Sequence, residues 1–210
     1  VPDQLVGPGP VELVARAHGK HVPLVRVSKD VFKKIADVMT PQGIAAIVKT
    51  PEWNASEILG GGDSLIVVAC GLQDPGNLGT IIRSCEAAGA SGLVTLEHTA
   101  DPFNAKVVRS TAAGLLTLPI LRFKAADFLK EAHSKKIRLV ATDAQGGVDY
   151  RRFNWKSRPL ALCIGNDSER LPKEIEAGCS EKVTIPIKGS AESLNAAVAA
   201  SILLFASSPE

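Results

Sequence analysis

A mostly parallel α/β sheet covered by helices on both faces is predicted by three features. From Leu65 onward, short apolar runs alternate with helical patterns. Those runs are nearly continuous in apolar character, as strands buried on two faces must be. Aromatic residues make up only 4% of a chain that is 45% hydrophobic, which suits small-residue helices on a sheet better than a β-sandwich. At 210 residues the chain fits one large domain, or one of ordinary size with part of a second.

The N-terminal stretch has a different pattern. Val22 to Val27 reads as a strand, Asp30 to Met39 as an amphipathic helix with Val31, Ile35 and Val38 on one face, and Ile44 to Val48 as another strand. That is half of a small α/β module. It carries seven Lys and Arg (Arg16, Lys20, Arg26, Lys29, Lys33, Lys34, Lys49) against four acids (Asp3, Glu12, Asp30, Asp37). A solvated helix face explains such a balance; the cluster of Lys20, His21, Arg26 and Lys29 also suits contact with RNA phosphates. Residues 51–63, rich in turn formers and without periodicity, read as a linker.

The expected strands of the second region are Leu65 to Cys70, Gly92 to Leu96, Leu118 to Leu121, Ile137 to Thr142, Leu160 to Ile164 and Lys182 to Ile187. Between and after them, helical periodicity predicts Leu78 to Ala88, Ala105 to Leu115, Ala125 to His133, Pro172 to Gly178 and Leu194 to Ala206.

Charge and cysteine content narrow the function classes. Lys plus Arg is 24 against 22 for Asp plus Glu, so any nucleic acid must be held by a local patch and not by bulk charge. Cys70, Cys85, Cys163 and Cys179 form no Cys-x-x-Cys pair and have no histidine at metal-ligand spacing, so they read as small buried hydrophobes in a reducing cytoplasm. No apolar stretch approaches the roughly 20 residues of a membrane span, and no signal-peptide pattern opens the chain. It begins at Val1, without methionine, as expected of a piece of a longer protein.

Two familiar motifs fail on context. Gly62-Asp63-Ser64-Leu65 matches a serine-esterase signature, but it precedes its strand, and the last histidine is His133, leaving no late base. After the first strand, Gly71-Leu72-Gln73-Asp74-Pro75-Gly76 is neither a dinucleotide fingerprint nor a Walker loop, so a ligand without phosphates is the better expectation.

Three polar, glycine-bearing turns remain. Asp74 to Ser84 opens a helix after the first strand; Asn77 can cap it, Gly76 and Gly79 allow close backbone approach, and Arg83 lies two turns in, near the pocket end. A planar, permanently charged side chain there suits phosphate or ribose recognition. Ile164-Gly165-Asn166-Asp167 delivers Asn166 and Asp167 to the carboxyl end of a buried strand. Ile185-Pro186-Ile187 ends another strand, with Ser193 at or near the cap of the final helix, followed by Leu194 and Asn195. Each alone is compatible with simple capping. Together, at the carboxyl edge of a parallel sheet, they predict one composite pocket.

With those residues in view, the chain resembles the SpoU/TrmH family of RNA 2′-O-ribose methyltransferases, of the SPOUT class. The resemblance covers roughly Leu65 to Phe205, with a further echo in Asn104 to Ser110, and residues 1–50 are similar to the C-terminal half of a ribosomal-protein-like RNA substrate-binding domain. It implies a methyltransferase domain over 64–210, a C-terminal trefoil knot, S-adenosylmethionine as cofactor, no metal, and a homodimer. It places Asn77, Arg83, Asp167, Ser193 and Asn195 at catalytic and RNA-facing positions, and Thr142, Gly165, Ile185, Ile187 and Leu194 around the cofactor. Two positions depart from the family pattern: Asp167 stands where Glu is usual, and Arg170 where Gly is usual.

The expected chemistry is transfer of the sulfonium methyl to a ribose 2′-oxygen, with Arg83 gripping the adjacent phosphate and lowering the hydroxyl's pKa. Ribosomal RNA is the expected substrate, with transfer RNA open. A catalytically silent RNA-binding protein and a small-molecule methyltransferase are the competing classes; the basic N-terminal stretch disfavours the latter.

Overall fold

The computed structural model describes residues 8–36, 41, 43–166 and 170–208, in two compact units, Val1–Thr50 and Pro51–Glu210. In the first unit, α1 (Pro8–Gly19) begins on proline and ends on glycine, a start and stop signature that the apolar pattern alone had not revealed. The expected basic helix forms as α2 (Lys29–Ala36); its expected end at Val38 and Met39 lies outside the described residues. The expected strands Val22 to Val27 and Ile44 to Val48 form no ladder, and Val25 and Ile47 are exposed. A strand holds only when its N–H and C=O groups find partners, and among the described residues these two segments have none in a ladder.

The second unit begins with α3 (Ala55–Leu59), inside the stretch that reads as a linker. Asn54 and Glu57 close a capping box at its start, and Ile58 and Leu59 are buried, so this segment is part of the core. There follow β1 (Leu65–Ala69), α4 (Pro75–Ala87), β2 (Gly92–Thr95), α5 (Ala105–Ser110), β3 (Ile120–Arg122), α6 (Ala125–Ser134), β4 (Arg138–Thr142), β5 (Val148–Asp149), β6 (Leu160–Ile164), α7 (Lys173–Gly178), β7 (Glu181–Thr184) and α8 (Ala196–Ser207). The seven strands lie in the order β3-β2-β1-β6-β4-β7-β5, and every pair is parallel.

The core divides by strand parity. Leu65, Val67 and Ala69 of β1, with Leu160, Leu162 and Ile164 of β6, face the layer of α4 and α8. Ile66, Val68, Ala161 and Cys163 face the other layer, with Ile58, Phe128 and Ile175. Gly79 is where α4 meets α5: a Cβ there would stand 1.7 Å from Ser110 Oγ.

Boundaries differ from expectation where side chains or prolines intervene. β3 starts two residues late because Pro119 has no N–H; its carbonyl accepts from Leu93 N at 2.9 Å. The helix expected over Ala105 to Leu115 stops at Ser110, where Ser110 Oγ donates to Lys106 O at 3.0 Å and Thr111 Oγ1 to Val108 O at 2.9 Å. Ala112 (φ 49) and Ala113 (φ 76) then turn left-handed before a short 3-10 turn, Gly114–Leu116. β5 is two residues long and left no readable pattern.

The cysteines are free thiols. Cys70, Cys85 and Cys163 are buried, and Cys179 is half-buried. Burial pushes the Cys70 and Cys85 thiols up, while a hydrogen bond with Cys179 and burial together raise Cys163. Ser64 is buried and its Oγ donates to Gly61 O at 2.8 Å, so it has a structural role and is no esterase nucleophile. Among the described residues, no helix is long and apolar enough to cross a membrane.

Candidate active site

A cavity of about 270 Å³ opens at the carboxyl ends of β4, β6 and β7. Parallel strands end there on one edge, so the loops that leave them converge without any help from sequence proximity. All five residues expected around a cofactor, Thr142, Gly165, Ile185, Ile187 and Leu194, line it, as do Asn166 and Ser193. Thr142 Oγ1 donates to Cys163 O at 3.0 Å, joining the end of β4 to β6. Ile164, Ile185, Ile187, Leu194 and Leu203 supply an apolar wall that suits a flat heterocycle, and the loop backbones supply hydrogen-bonding edges. These residues fit an adenosyl group.

Asn77 and Asn195, 118 positions apart, meet directly: Asn195 Nδ2 donates to Asn77 Oδ1 at 3.0 Å. Two capping assignments shift as a result. Asp74, not Asn77, caps α4, its carboxylate accepting from Asn77 N at 3.0 Å ahead of Pro75. The Asn77 and Gly76 amides hold the Asp74 carboxyl below its ordinary value. Asn195 Oδ1 caps α8 by accepting from Ala197 N at 3.0 Å and Val198 N at 3.3 Å, so that helix starts two residues later than expected and Ser193 stands in the loop before it. One amide thus holds both a helix end and the tie to α4. One turn-pair further along, Ser84 and Ser201 repeat the tie at 2.8 Å.

Arg83 is placed otherwise. It is the ninth of the thirteen residues of α4, past its midpoint, exposed, and outside the cavity lining. Asn77 and Ser84 are seven apart and share the face toward α8; Arg83 is about 100° away on the helix, which its position alone foretells. Asp167 lies outside the described residues. Arg170 lines the cavity.

Four polar side chains on the β4, α7 and β7 side of the wall were missed by motif reasoning. Asp143, Gln145, Glu176 and Lys182 all line the cavity. Lys182 Nζ lies 2.5 Å from Glu176 Oε1 and 3.6 Å from Asp143 Oδ2, and the hydrogen bond to Glu176 holds its pKa above the ordinary value. The same carboxyl-edge rule that selected Gly165 could have found Asp143 and Gln145, which follow β4 directly.

Comparison with known proteins agrees with this geometry. Residues 64–205 match the SpoU rRNA Methylase family. The chain belongs to that family. Residues 5–53 of this SpoU-family chain match a second family, described as RNA 2′-O ribose methyltransferase substrate binding. It is 34% identical over 179 residues to the 23S rRNA (guanosine(2553)-2′-O)-methyltransferase of Bacillus subtilis, covering 85% of this chain and 70% of that protein. It is 37% identical over 171 residues to the 23S rRNA (uridine(2479)-2′-O)-methyltransferase of Streptomyces viridochromogenes, covering 79% of this chain but only 59% of that protein. Among solved structures, an AdoMet-bound rRNA methyltransferase from Sinorhizobium meliloti superposes with a TM-score of 0.80 at 34% identity, over 94% of this chain and 76% of that one. The SpoU methyltransferase AviRb from Streptomyces viridochromogenes, in complex with AdoMet, gives 0.73 at 31% identity, over 87% and 78% of the two chains.

Proposed function

We propose that this protein methylates a ribose 2′-hydroxyl of ribosomal RNA, using S-adenosylmethionine bound in the cavity between β4, β6 and β7. The observation that carries the reading is the convergence of Thr142, Gly165, Ile185, Ile187 and Leu194 on one cavity beside the Asn77–Asn195 tie. Family membership and the AdoMet-bound neighbours support it.

When bound, the cofactor supplies a methyl group already activated by its sulfonium. The chain's task is alignment and exclusion of water. Ile185, Ile187 and Leu194 hold the adenosyl end against the apolar wall, and Gly165 lets the backbone approach it. Asn77, Ser193 and Asn195 face the RNA side, and Asn195 keeps its amide aimed by capping α8. Arg83 grips the phosphate next to the target ribose, stabilising negative charge as the 2′-oxygen loses its proton. Asp167 belongs to the same RNA-facing set.

The protein acts as a homodimer through α8. That helix is apolar all round, yet Val198 and Phe205, seven residues apart on one face, are 49% and 59% exposed. α8 packs on α4, so pairing there brings Arg83 of one copy toward the cavity of the other, which accounts for an arginine exposed in the single chain. The C-terminal segment is tied in a trefoil knot, a reading supported by β6 standing between β1 and β4 and by the return of α8 to α4. Residues 1–50 act as part of an RNA substrate-binding domain in a cytoplasmic enzyme.

Calorimetry with S-adenosylmethionine and transfer of labelled methyl to ribosomal or transfer RNA test the reading. Leu194→Arg abolishes cofactor binding without unfolding the domain, and Arg83→Ala keeps cofactor affinity while losing transfer. Unchanged affinity in the first variant, or transfer within a few-fold of wild type in the second, overturns the assignment. Methyl accepted by transfer RNA alone redirects the substrate.

A further inference from the structure

Among the described residues, the cavity wall holds two cationic side chains, and they are differently engaged. Lys182 is met twice within the wall, by Glu176 and Asp143. Arg170 is held instead by a neutral amide, its Nη2 donating to Gln145 Oε1 at 2.6 Å. Among the described residues it meets no carboxylate. A guanidinium carries five N–H donors in one rigid plane, and a single bond to an amide oxygen fixes that plane while leaving most donors for an anion. Arg170 stands in the loop after β6 and Gln145 in the loop after β4, so the pair spans two walls of the cavity.

The methyl donor proposed above carries one anion, the carboxylate of its amino-acid end; its sulfonium and ammonium are positive. The wall also bears Asp143, Glu176 and Glu192, which repel that carboxylate, and Lys182 is spent on two of them. Among the described residues of the wall, the Arg170 corner is the cationic position not already met by a carboxylate. We infer that Arg170, oriented by Gln145, receives the donor carboxylate and thereby selects the donor. This inference rests on the methyl-transfer reading and deepens it.

The test compares S-adenosylmethionine with its decarboxylated analogue by calorimetry on wild type, Arg170→Ala, Arg170→Lys and Gln145→Leu. Wild type prefers the intact donor by about tenfold to a hundredfold, the range of a charge-assisted hydrogen bond. Arg170→Ala loses that preference by weakening only the intact donor, with the analogue bound within about twofold of wild type. Arg170→Lys recovers part of the preference, and Gln145→Leu loses about two- to tenfold, as expected when a neutral orienting bond is removed. Loss of both donors alike in Arg170→Ala, or of neither, overturns the inference. A wild-type protein that binds neither donor overturns the methyl-transfer reading, and this inference with it.

Discussion

The centre of the sheet and its β7–β5 margin follow opposite rules. Every residue of β1 and β6 is buried, and all ten are apolar. In β7 only Val183 is buried, and in β5 Val148 is exposed and Asp149 half-exposed. The cavity opens on the margin side, where the loops after β4, β6 and β7 are free to carry Asp143, Gln145, Asn166 and Arg170. The apolar central strands fix where the sheet ends, while the loops, with Thr142 at the end of β4 and Lys182 in β7, carry the polar side chains of the cavity.

That contrast is sharpest in stability. Leu162→Ala, at the buried middle of β6, costs about 2–5 kcal/mol in urea or guanidinium unfolding, because the removed side chain leaves a cavity between packed layers. Val148→Ala in β5 costs less than about 1 kcal/mol. Equal costs at the two positions would erase the distinction between centre and margin.

Asn195 tests where structural and site roles overlap. Asn195→Ala removes the cap of α8 and the tie to Asn77 together, and thermal unfolding registers a loss of about 1 kcal/mol. Asn195→Asp keeps an oxygen for the cap but has no amide to donate to Asn77. Stability then stays near wild type while methyl transfer falls; transfer that follows stability in both variants would make Asn195 a cap and nothing more.

The smallest expected effect is a pH dependence at the start of α4. Asp74 has its pKa lowered in the folded protein by the Asn77 and Gly76 amides, so the capping contribution is present above the ordinary value of 3.8 and is lost as pH falls through the depressed one. The acid limb of a melting-temperature profile is therefore shallower in Asp74→Ala than in wild type. Identical limbs would detach the cap from α4 stability.

Much of the second unit was legible because its signals are local. Continuous apolar runs mark strands buried on two faces, and the chosen turns lie where parallel strands must end, so a composite pocket could be expected without knowing a single contact, while the family resemblance supplied the names of its cofactor-side residues. The failures are equally physical. The segment around Ile58 and Leu59 looked like a linker because its turn formers outnumber a five-residue helix whose reason for folding is burial against distant strands. The expected strands of the first unit have the right residues but no ladder partner among the described residues.

Residue order alone set the kind and sequence of most elements along 65–207, β5 and the 3-10 turn at Gly114–Leu116 excepted, because helical and strand periodicity are properties of neighbouring side chains. It could not set which distant residues touch. That Asn77 meets Asn195 across 118 positions and that Gln145 reaches Arg170 were decided by the insertion of β6 between β1 and β4 and by the return of α8 to α4. Such contacts depend on how whole layers pack, and no local pattern encodes that.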